Sequence, residues 1–528
     1  MPNRRHVLQG IGGGLASLAA PRLGSAQAAR TLRFIPNADL AILDPVWTLA
    51  YVTRNHACMV FDTLYGIDDQ FQPQPQMVAG HQVDDEGRRW RLTLRDGLVF
   101  HDGSPVLARD CVASIRRWGQ TDSVGRTLMA LTEEVSAPSD KLIEFRLKRP
   151  FPLLPMALGK ASPNMLCVMP ERLAETPPQK QVTEMIGSGP FRFLAGERVA
   201  GSFAAYAKFD KYVPAAGPSR FLAGGKHVHF DRVEWRTMPD VGTAAAALQA
   251  GEVDWWEAPS ADLLPLLARN RNIALETIDA TGSIGVIRIN HANPPFDNPA
   301  ILRAVLGAID QSEFMMAVAG DDRALWNDKV GLFTPGTPMA TEAGVETLTG
   351  PRNIDRVKRD LAAAGYKGER VVLLGASDIP PINAMSQVAQ AMFSRIGMNV
   401  DFISTDWGTV MQRRASNQPV ERGGWSAFVG TWSGYDMLNP AVSVTLRGDG
   451  NAAGGWLKDP EIERLRSAWF DAPDLAGQQA VCRALQEQAL RSVPYIPLGQ
   501  FRTRTAIRRN IVDLPKGIPA FWGLRRGA

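Results

Sequence analysis

Residues 94–105 read LRDGLVFHDGSP, and this stretch carries the strongest fold signal in the chain. Its two Asp-Gly pairs, at 96–97 and 102–103, are the residue types that accept the left-handed backbone of tight turns. Just before them Trp90, Leu92 and Leu94 alternate with polar residues, as in a strand with one buried face. The stretch therefore predicts an antiparallel meander in which residues 98–101 form the strand after the first turn.

The sequence around this meander predicts a small α+β unit. A helix is expected over 108–118 and a strand over 142–147, and the unit is expected to end near the Gly-rich residues 187–190. A separate strand is predicted at 31–35, ahead of the unit. Antiparallel strands therefore dominate this part of the chain.

The second half of the chain alternates capped helices with short apolar strands. Asn298 followed by Pro299 predicts a helix start, and the helix is expected to end before Asp310. Further elements are expected as a helix over 354–364, a strand over 371–374, a helix over 385–396, a strand over 400–403, a helix from Pro460 and a long helix over 476–492. The run from 371 to 403 has the spacing of a βαβ crossover, which predicts parallel strands.

Length and composition bound the class of protein. The chain has 528 residues, 45% of them hydrophobic and 21% charged, which fits a globular protein of several domains. Its 58 Lys and Arg residues nearly balance 54 Asp and Glu residues, so the excess of clustered cations that binding to nucleic acid requires is missing. No apolar window of 18 residues predicts a spanning helix.

Residues 1–28 resemble an export signal. Arg4 and Arg5 stand together before a weakly apolar, glycine-rich run, and Ala26-Gln27-Ala28 fits a cleavage site for a mature chain starting near Ala29. The paired arginines predict the twin-arginine route. The first cysteine is Cys58, so a lipid anchor is not expected, and the predicted location is the periplasm.

Catalytic and metal-binding motifs are missing from the sequence. It has no HExxH, GxSxG, phosphate-binding loop or dinucleotide fingerprint, so neither an enzyme site nor a cofactor is predicted. His227 and His229 share one face of a possible strand but have no third ligand. Four widely spaced cysteines leave disulfides and free buried thiols both open; they are Cys58, Cys111, Cys167 and Cys482.

Several motifs, in one order along the chain, resemble the signature of the family 5 extracellular solute-binding proteins. These are the peptide, nickel and oligopeptide receptors of ABC importers. The matching segments are Leu43-Asp44-Pro45, 94–105, 109–114, 186–191, 248–254, Asn290 with 294–298, 303–310 and 361–366. The resemblance extends from about residue 31 to the C-terminus.

The resemblance implies an α/β, two-lobed periplasmic binding protein fold, hinged, with an extra α+β subdomain on the first lobe. The implied division is a signal peptide (1–28), the first lobe in three segments (29–47, 188–282 and 496–528), the extra subdomain (48–187) and the second lobe (283–495). Ligand would lie between the lobes, and hinge closure would trap it.

The same resemblance implies which residues face the ligand. Asp39 and Leu40 match a strand-like edge of the first lobe that pairs with a peptide backbone. In the second lobe, the segment 430–436 matches one where relatives present a tryptophan and an aspartate that pairs with the peptide α-ammonium. The expected contacts there are Trp432, Tyr435 and Asp436. Trp407 and Arg414 are further candidates; the alternative for Trp407 is packing in the core, and the alternative for Arg414 is a solvated surface position.

This chain departs from the family pattern at that aspartate. Relatives often place it three positions after the tryptophan, where this chain has Tyr435, and Asp436 follows one residue later. Either the loop shifts by one residue or the amine anchor is missing, and a missing anchor would favour a different substrate.

The expected function is that of a periplasmic receptor without catalytic activity, a monomer that captures a peptide or similar small polar solute. Its partner would be an inner-membrane ABC permease. Two alternatives stay open from the sequence: a receptor for a metal chelate, opine or sugar, and a secreted enzyme that reuses the fold.

Overall fold

A computed structural model of the chain describes residues 30–349 and 351–527. The export signal predicted over residues 1–28 lies outside the described residues. Within the described ranges, no helix combines the length and the apolar character needed to cross a membrane.

The first lobe is built on a seven-stranded mixed sheet. Its central strand is Thr31–Ile35, as predicted, and it pairs in parallel with Arg232–Arg236 on one side and Trp255–Trp256 on the other. The ring of Phe34 is fully buried against Trp235, Trp255 and Phe521. Across the sheet the strands follow the order Ile273–Glu276, Thr505–Arg508, Trp255–Trp256, Thr31–Ile35, Arg232–Arg236, Phe203–Lys208 and Phe191–Phe193.

The second lobe has its own six-stranded sheet. The order is Trp326–Asn327, Tyr495–Phe501, Ser283–Ile289, Ala427–Ser433, Arg370–Ala376 and Asn399–Thr405. Strands 370–376 and 399–405 are parallel and are joined by the helix Pro380–Arg395, so the predicted βαβ crossover is confirmed. Apolar strand faces and the surrounding helices bury a core between them.

Two chain crossings connect these sheets. The first runs from Glu276 to Ser283, and the second runs from Phe501 to Thr505. The second lobe was expected to end at residue 495, which is wrong, because the strand Tyr495–Phe501 pairs antiparallel with Ser283–Ile289 in the second sheet. Its seven residues are all buried there, so the chain returns to the first lobe only after residue 501.

Residues 78–147 form a four-stranded antiparallel sheet apart from the two lobe sheets. Its strands, in order, are Val78–Asp84, Arg89–Leu94, Leu142–Leu147 and Thr132–Ser139. The prediction of a strand at 98–101 is wrong. Those residues fold back locally, with Phe100 N donating to Ser104 O at 2.8 Å and Val106 N to Leu98 O at 3.0 Å. The turn at Gly103 is left-handed as predicted, with φ +89°.

Helices cover the faces of the sheets, and most begin at a side-chain cap. Those of eight or more residues are Tyr51–Val60, Ala108–Thr121, Ser123–Leu131, Val241–Ala250, Pro299–Leu306, Gln311–Ala319, Ile354–Ala363, Pro380–Arg395, Pro460–Asp471 and Leu475–Ser492. The helix from Pro299 stops at Leu306 rather than just before Asp310. Asp310 instead caps the next helix by accepting from Ser312 N at 3.0 Å.

A buried ion pair ties the first segment of the chain to the α+β unit. The Asp44 carboxylate accepts hydrogen bonds from both terminal nitrogens of Arg117, at 2.6 and 3.2 Å. It also accepts from Val46 N and Val182 N. Asp44 belongs to the Leu43-Asp44-Pro45 motif, whose role here is therefore to join two parts of the fold.

All four cysteines are buried free thiols, so the disulfide alternative is wrong. Burial raises the pKa of each thiol. The thiols therefore act as small apolar core side chains.

Gly187 lies where the chain leaves the α+β unit and passes close to the helix Tyr51–Val60. A Cβ at this position would lie 2.2 Å from Val60 O and 2.7 Å from Phe61 Cδ1. We expect Gly187→Ala to lower the free energy of unfolding by about 1–3 kcal/mol because the backbone must move apart. Urea denaturation measures the change. The control Gly80→Ala adds a Cβ with no atom within 4 Å and should cost nothing; equal stability of the two variants would contradict the prediction.

Candidate functional site

A cavity of about 360 Å³ lies between the α+β unit and the second lobe. One wall comes from residues 121–126 and 160–164, and the other from the strands and loops of the second lobe. Its charged lining residues are Asp122, Arg126, Lys160, Arg288, Arg414 and Asp436. Its aromatic lining residues are Trp425, Phe428 and Trp432. Charged and aromatic groups thus line one concave space, as they do in many small-molecule sites.

A second cavity of about 330 Å³ lies next to the first and shares Lys160, Ser162 and Val442 with it. Tyr435 lines only this second cavity, together with Phe71 and Trp469. The two spaces are therefore neighbouring parts of one region between the α+β unit and the second lobe.

The segment after strand Ala427–Ser433 decides which side chains reach the first cavity. It forms a short 3-10 turn, Gly434–Met437, which begins where Tyr435 N donates to Ser433 Oγ. Trp432 and Asp436 line the first cavity. The buried Tyr435 ring instead stacks on Phe221 of the first lobe, with centroids 5.0 Å apart and planes 16° apart. The structure therefore brings Asp436, not Tyr435, into the cavity that Trp432 lines.

Asp436 is held by a tyrosine from the other lobe. Its side chain is only 7% exposed, and Oδ2 accepts from Tyr51 OH at 2.6 Å. The same hydroxyl oxygen accepts from Ser433 N at 2.8 Å. Burial raises the pKa of Asp436, and the hydrogen bond from Tyr51 opposes that rise. The carboxylate has no cation within ion-pair distance among the described residues.

Lys160 and Asp122 form a buried ion pair on the facing wall. Asp122 also caps the helix Ser123–Leu131 by accepting from Val124 N and Gly125 N. Lys160 also donates to Pro163 O at 2.8 Å. These two charges satisfy each other and hold the wall in place.

Three of the predicted site residues do not reach the two cavities. Asp39 accepts from Gly201 N at 3.1 Å, and Leu40 is buried in the core of the first lobe. Arg198 donates to Leu40 O, which further fixes this segment against its own lobe. Trp407 packs against the core of the second lobe, in line with the core-packing alternative. Arg414 does line the first cavity.

Sequence reasoning missed Tyr51, Lys160 and Arg288. Arg288 had a visible signal, because it is the one charged residue in the apolar strand SIGVIRI. Tyr51 and Lys160 had no such signal, because their roles depend on contacts that the local sequence does not show. Tyr51 bonds to Asp436, 385 residues away, and Lys160 pairs with Asp122. His227 and His229 lie outside any strand, and the described residues hold no group of three side chains suited to a metal ion.

Comparison with known proteins identifies the family. The model of bacterial extracellular solute-binding proteins, family 5 Middle, matches residues 72–454. The chain belongs to this family. The resemblance inferred from the sequence is therefore confirmed. Family 5 consists of solute-binding proteins and is not an enzyme family.

One relative and two solved structures illustrate the likeness. "Probable peptide ABC transporter periplasmic-binding protein y4tO" of Sinorhizobium fredii (strain NBRC 101917 / NGR234) is 35% identical over 97% of each chain. A dipeptide binding protein from Pseudoalteromonas sp. SM9913 in complex with Met-Leu has a TM-score of 0.77 at 18% identity, covering 94% of this chain and 100% of that one. AgaA from A. tumefaciens R10, in complex with agropinic acid, has a TM-score of 0.78 at 19% identity, covering 94% and 99%. These structures confirm the two-lobed periplasmic binding protein fold.

In this family 5 solute-binding protein, the Tyr51 hydroxyl is a direct link between the lobes. Its helix packs in the first-lobe core, although it falls within the range 48–187 expected for the extra subdomain, while Ser433 and Asp436 belong to the second lobe. We expect Tyr51→Phe to weaken the contact between the lobes, and with it the affinity for a ligand that bridges them, by about 1–3 kcal/mol because two buried polar groups lose their partner. Isothermal titration calorimetry of ligand binding to the wild type and the variant measures the loss.

Tyr212→Phe is the matched control for this variant. Its hydroxyl donates to Asp62 within the first lobe, at 3.0 Å, and does not bridge the lobes. It should leave ligand affinity at the wild-type value. Unchanged affinity in Tyr51→Phe as well would contradict the interlobe role.

Proposed function

We propose that this protein captures a peptide or a similar small polar solute between its lobes and delivers it to the permease of an ABC importer. One observation supports this most directly: the buried Asp436 carboxylate and the Trp432 ring line the same cavity, between the α+β unit and the second lobe. The name of the Sinorhizobium fredii relative, a peptide ABC transporter periplasmic-binding protein, points to the same function.

Each proposed contact has a physical role. The Asp436 carboxylate pairs with the α-ammonium of the ligand, which supplies the cation that the carboxylate lacks. The ring of Trp432 offers a rigid stacking surface. Arg414 supplies a positive charge for ligand carboxylates.

Closure of the lobes follows from the two crossings at 277–282 and 502–504. A ligand that touches both walls binds the closed state better than the open one, and this difference in affinity drives closure. Small-angle scattering should therefore show a smaller radius of gyration with ligand than without it.

The test of the function is direct binding. The protein is unfolded and refolded to remove carried ligand, and thermal shift is then measured against dipeptides, tripeptides, nickel–histidine and simple sugars. Mass spectrometry of small molecules carried by the native protein identifies the physiological ligand class. Stabilisation by peptides and not by the other compounds supports the proposal, whereas stabilisation only by a non-peptide compound would refute it.

We also propose that the protein is exported by the twin-arginine route and works in the periplasm as a monomer without a lipid anchor. The basis is the pair Arg4-Arg5 and the glycine-rich run after it. We expect replacement of both arginines by lysine to leave the precursor in the cytoplasm, as measured by fractionation and immunoblotting. Normal periplasmic accumulation of that variant would contradict the route.

A further inference from the structure

Two arginines lie in the second-lobe wall of the first cavity, and neither has an acidic partner among the residues that the structure describes. Arg288 lies on the central strand Ser283–Ile289, is 4% exposed, and donates only to backbone carbonyls, those of Thr445 and Ala453. Arg414, at the end of the helix Trp407–Arg413, lines the same cavity. Over the described residues, neither arginine lies within 4.0 Å of a carboxylate oxygen.

The charges of these two arginines act on each other. Burial, opposed by the nearby Tyr495 and reinforced by the charge of Arg414, lowers the pKa of Arg288 to about 10. A buried cation next to a second cation is an unfavourable arrangement unless an anion joins them. Backbone carbonyls solvate the Arg288 guanidinium but do not neutralise it.

The acidic residues of the cavity are already engaged elsewhere. Asp122 pairs with Lys160 on the facing wall, and Asp436 accepts the hydroxyl of Tyr51. The guanidinium of Arg126, also on the facing wall, donates to Thr121 O and forms no ion pair within the described part of the chain. The lining therefore carries four cationic side chains against two carboxylates. A zwitterionic ligand, which is neutral overall, leaves this excess uncompensated.

We propose that Arg288 and Arg414 bind a side-chain carboxylate of the ligand, so that the protein selects acidic peptides over neutral ones. This rests on the function proposed above. A planar guanidinium offers paired donors that match a carboxylate, and the low exposure of Arg288 strengthens the interaction. The extra carboxylate of an acidic peptide supplies the negative charge that the cavity lacks.

The experiment compares matched ligands and matched variants. Calorimetry on the refolded, ligand-free protein uses the pairs Ala-Glu and Ala-Gln, and Ala-Ala-Glu and Ala-Ala-Gln, which differ only in the charge of one side chain. Glutarate and its monoamide form a third pair, which has no peptide bond. We expect each acidic member to bind at least ten-fold more tightly than its neutral partner.

Arg414→Gln should abolish that preference. Arg414 is exposed, so its replacement leaves the fold intact, unlike replacement of the buried Arg288. The control is Arg422→Gln, also exposed but outside the cavity, and it should keep the wild-type preference. Thermal melts of both variants confirm that each is folded.

Every outcome decides between the two proposals. Equal affinity for acidic and neutral peptides overturns the carboxylate subsite and leaves the peptide function standing. Binding of glutarate alone, lost in Arg414→Gln, overturns the peptide function and supports the subsite. A preference that survives Arg414→Gln overturns the assignment to this arginine pair, and failure of all probes to bind overturns both proposals.

Discussion

Asp44→Ala is expected to lower the free energy of unfolding by about 3–5 kcal/mol, the usual cost of removing one partner of a buried ion pair. The side chains of Asp44 and Arg117 are 0% and 2% exposed, and the change leaves the Arg117 charge buried without its partner. It also removes the acceptor for Val46 N and Val182 N. Urea denaturation of the wild type and the variant measures the loss.

The exposed pair Arg172–Glu184 is the control for burial. Its 2.9 Å separation is close to the 2.6 Å of the buried pair, but its side chains are 52% and 55% exposed. Glu184→Ala should cost less than about 1 kcal/mol because solvent screens exposed charges. An equally small cost for Asp44→Ala would contradict the structural role of the Asp44–Arg117 pair.

A double-mutant cycle isolates the interaction itself. Arg117→Met alone leaves the Asp44 carboxylate without its cation, and the double variant Asp44→Ala with Arg117→Met leaves no buried charge at this place. The double variant should therefore lose much less stability than the sum of the single losses. Strict additivity would show that the two residues do not act as a pair.

Asp436→Asn is expected to lower the affinity for a peptide with a free α-amine by about 2–5 kcal/mol, the range for removing one partner of a buried charge pair. Asparagine keeps the shape and can still accept a hydrogen bond from Tyr51, so the fold should hold. Burial raises the pKa of Asp436, so removal of its charge should not reduce stability. A loss of affinity without a loss of stability is the expected signature.

The pH dependence gives a second test of Asp436. Only the ionised carboxylate attracts an ammonium group, so affinity should rise as pH increases through the raised pKa of Asp436 and level off above it. The ligand ammonium favours the ionised form, and binding should therefore release a proton. Asp436→Asn should show no such rise.

Ligand chemistry supplies the controls for Asp436. An N-acetylated peptide should bind the wild type poorly and should not distinguish the wild type from Asp436→Asn. Trp432→Ala should weaken free and acetylated peptides alike because it removes only a stacking surface. Wild-type affinity in Asp436→Asn would show that no amine anchor exists there and would favour a non-peptide ligand.

Local sequence signals determined a large part of this fold. The caps at Asn298 and Asp459 start helices where predicted, and Gly365 and Gly397 follow helix ends with φ of +93° and +86°. The strand Arg89–Leu94 and the βαβ crossover at 370–405 follow from residue alternation and spacing. These features depend on neighbours within a few residues, which is why the sequence alone predicts them.

Strand partners depended on contacts that the local pattern does not contain. The alternation at 89–94 identifies a strand, but its partners are 78–84 and 142–147 and not residues 98–101. Likewise, the apolar run 495–501 reads as a strand of either lobe until it pairs with 283–289. Burial and hydrogen bonding between distant segments decide such questions.

The candidate site was decided almost entirely by tertiary structure. The sequence placed Trp432 and Asp436 close together along the chain, but the stacking of Tyr435 on Phe221 determines that Asp436 lines the cavity. Tyr51 reaches Asp436 across 385 residues of chain. Likewise, the surroundings of Arg288 determine that it has no acidic partner within residues 30–349 and 351–527. The sequence determines the chemistry of each side chain, whereas its partners, its burial and the charge balance around it arise only when distant segments pack together.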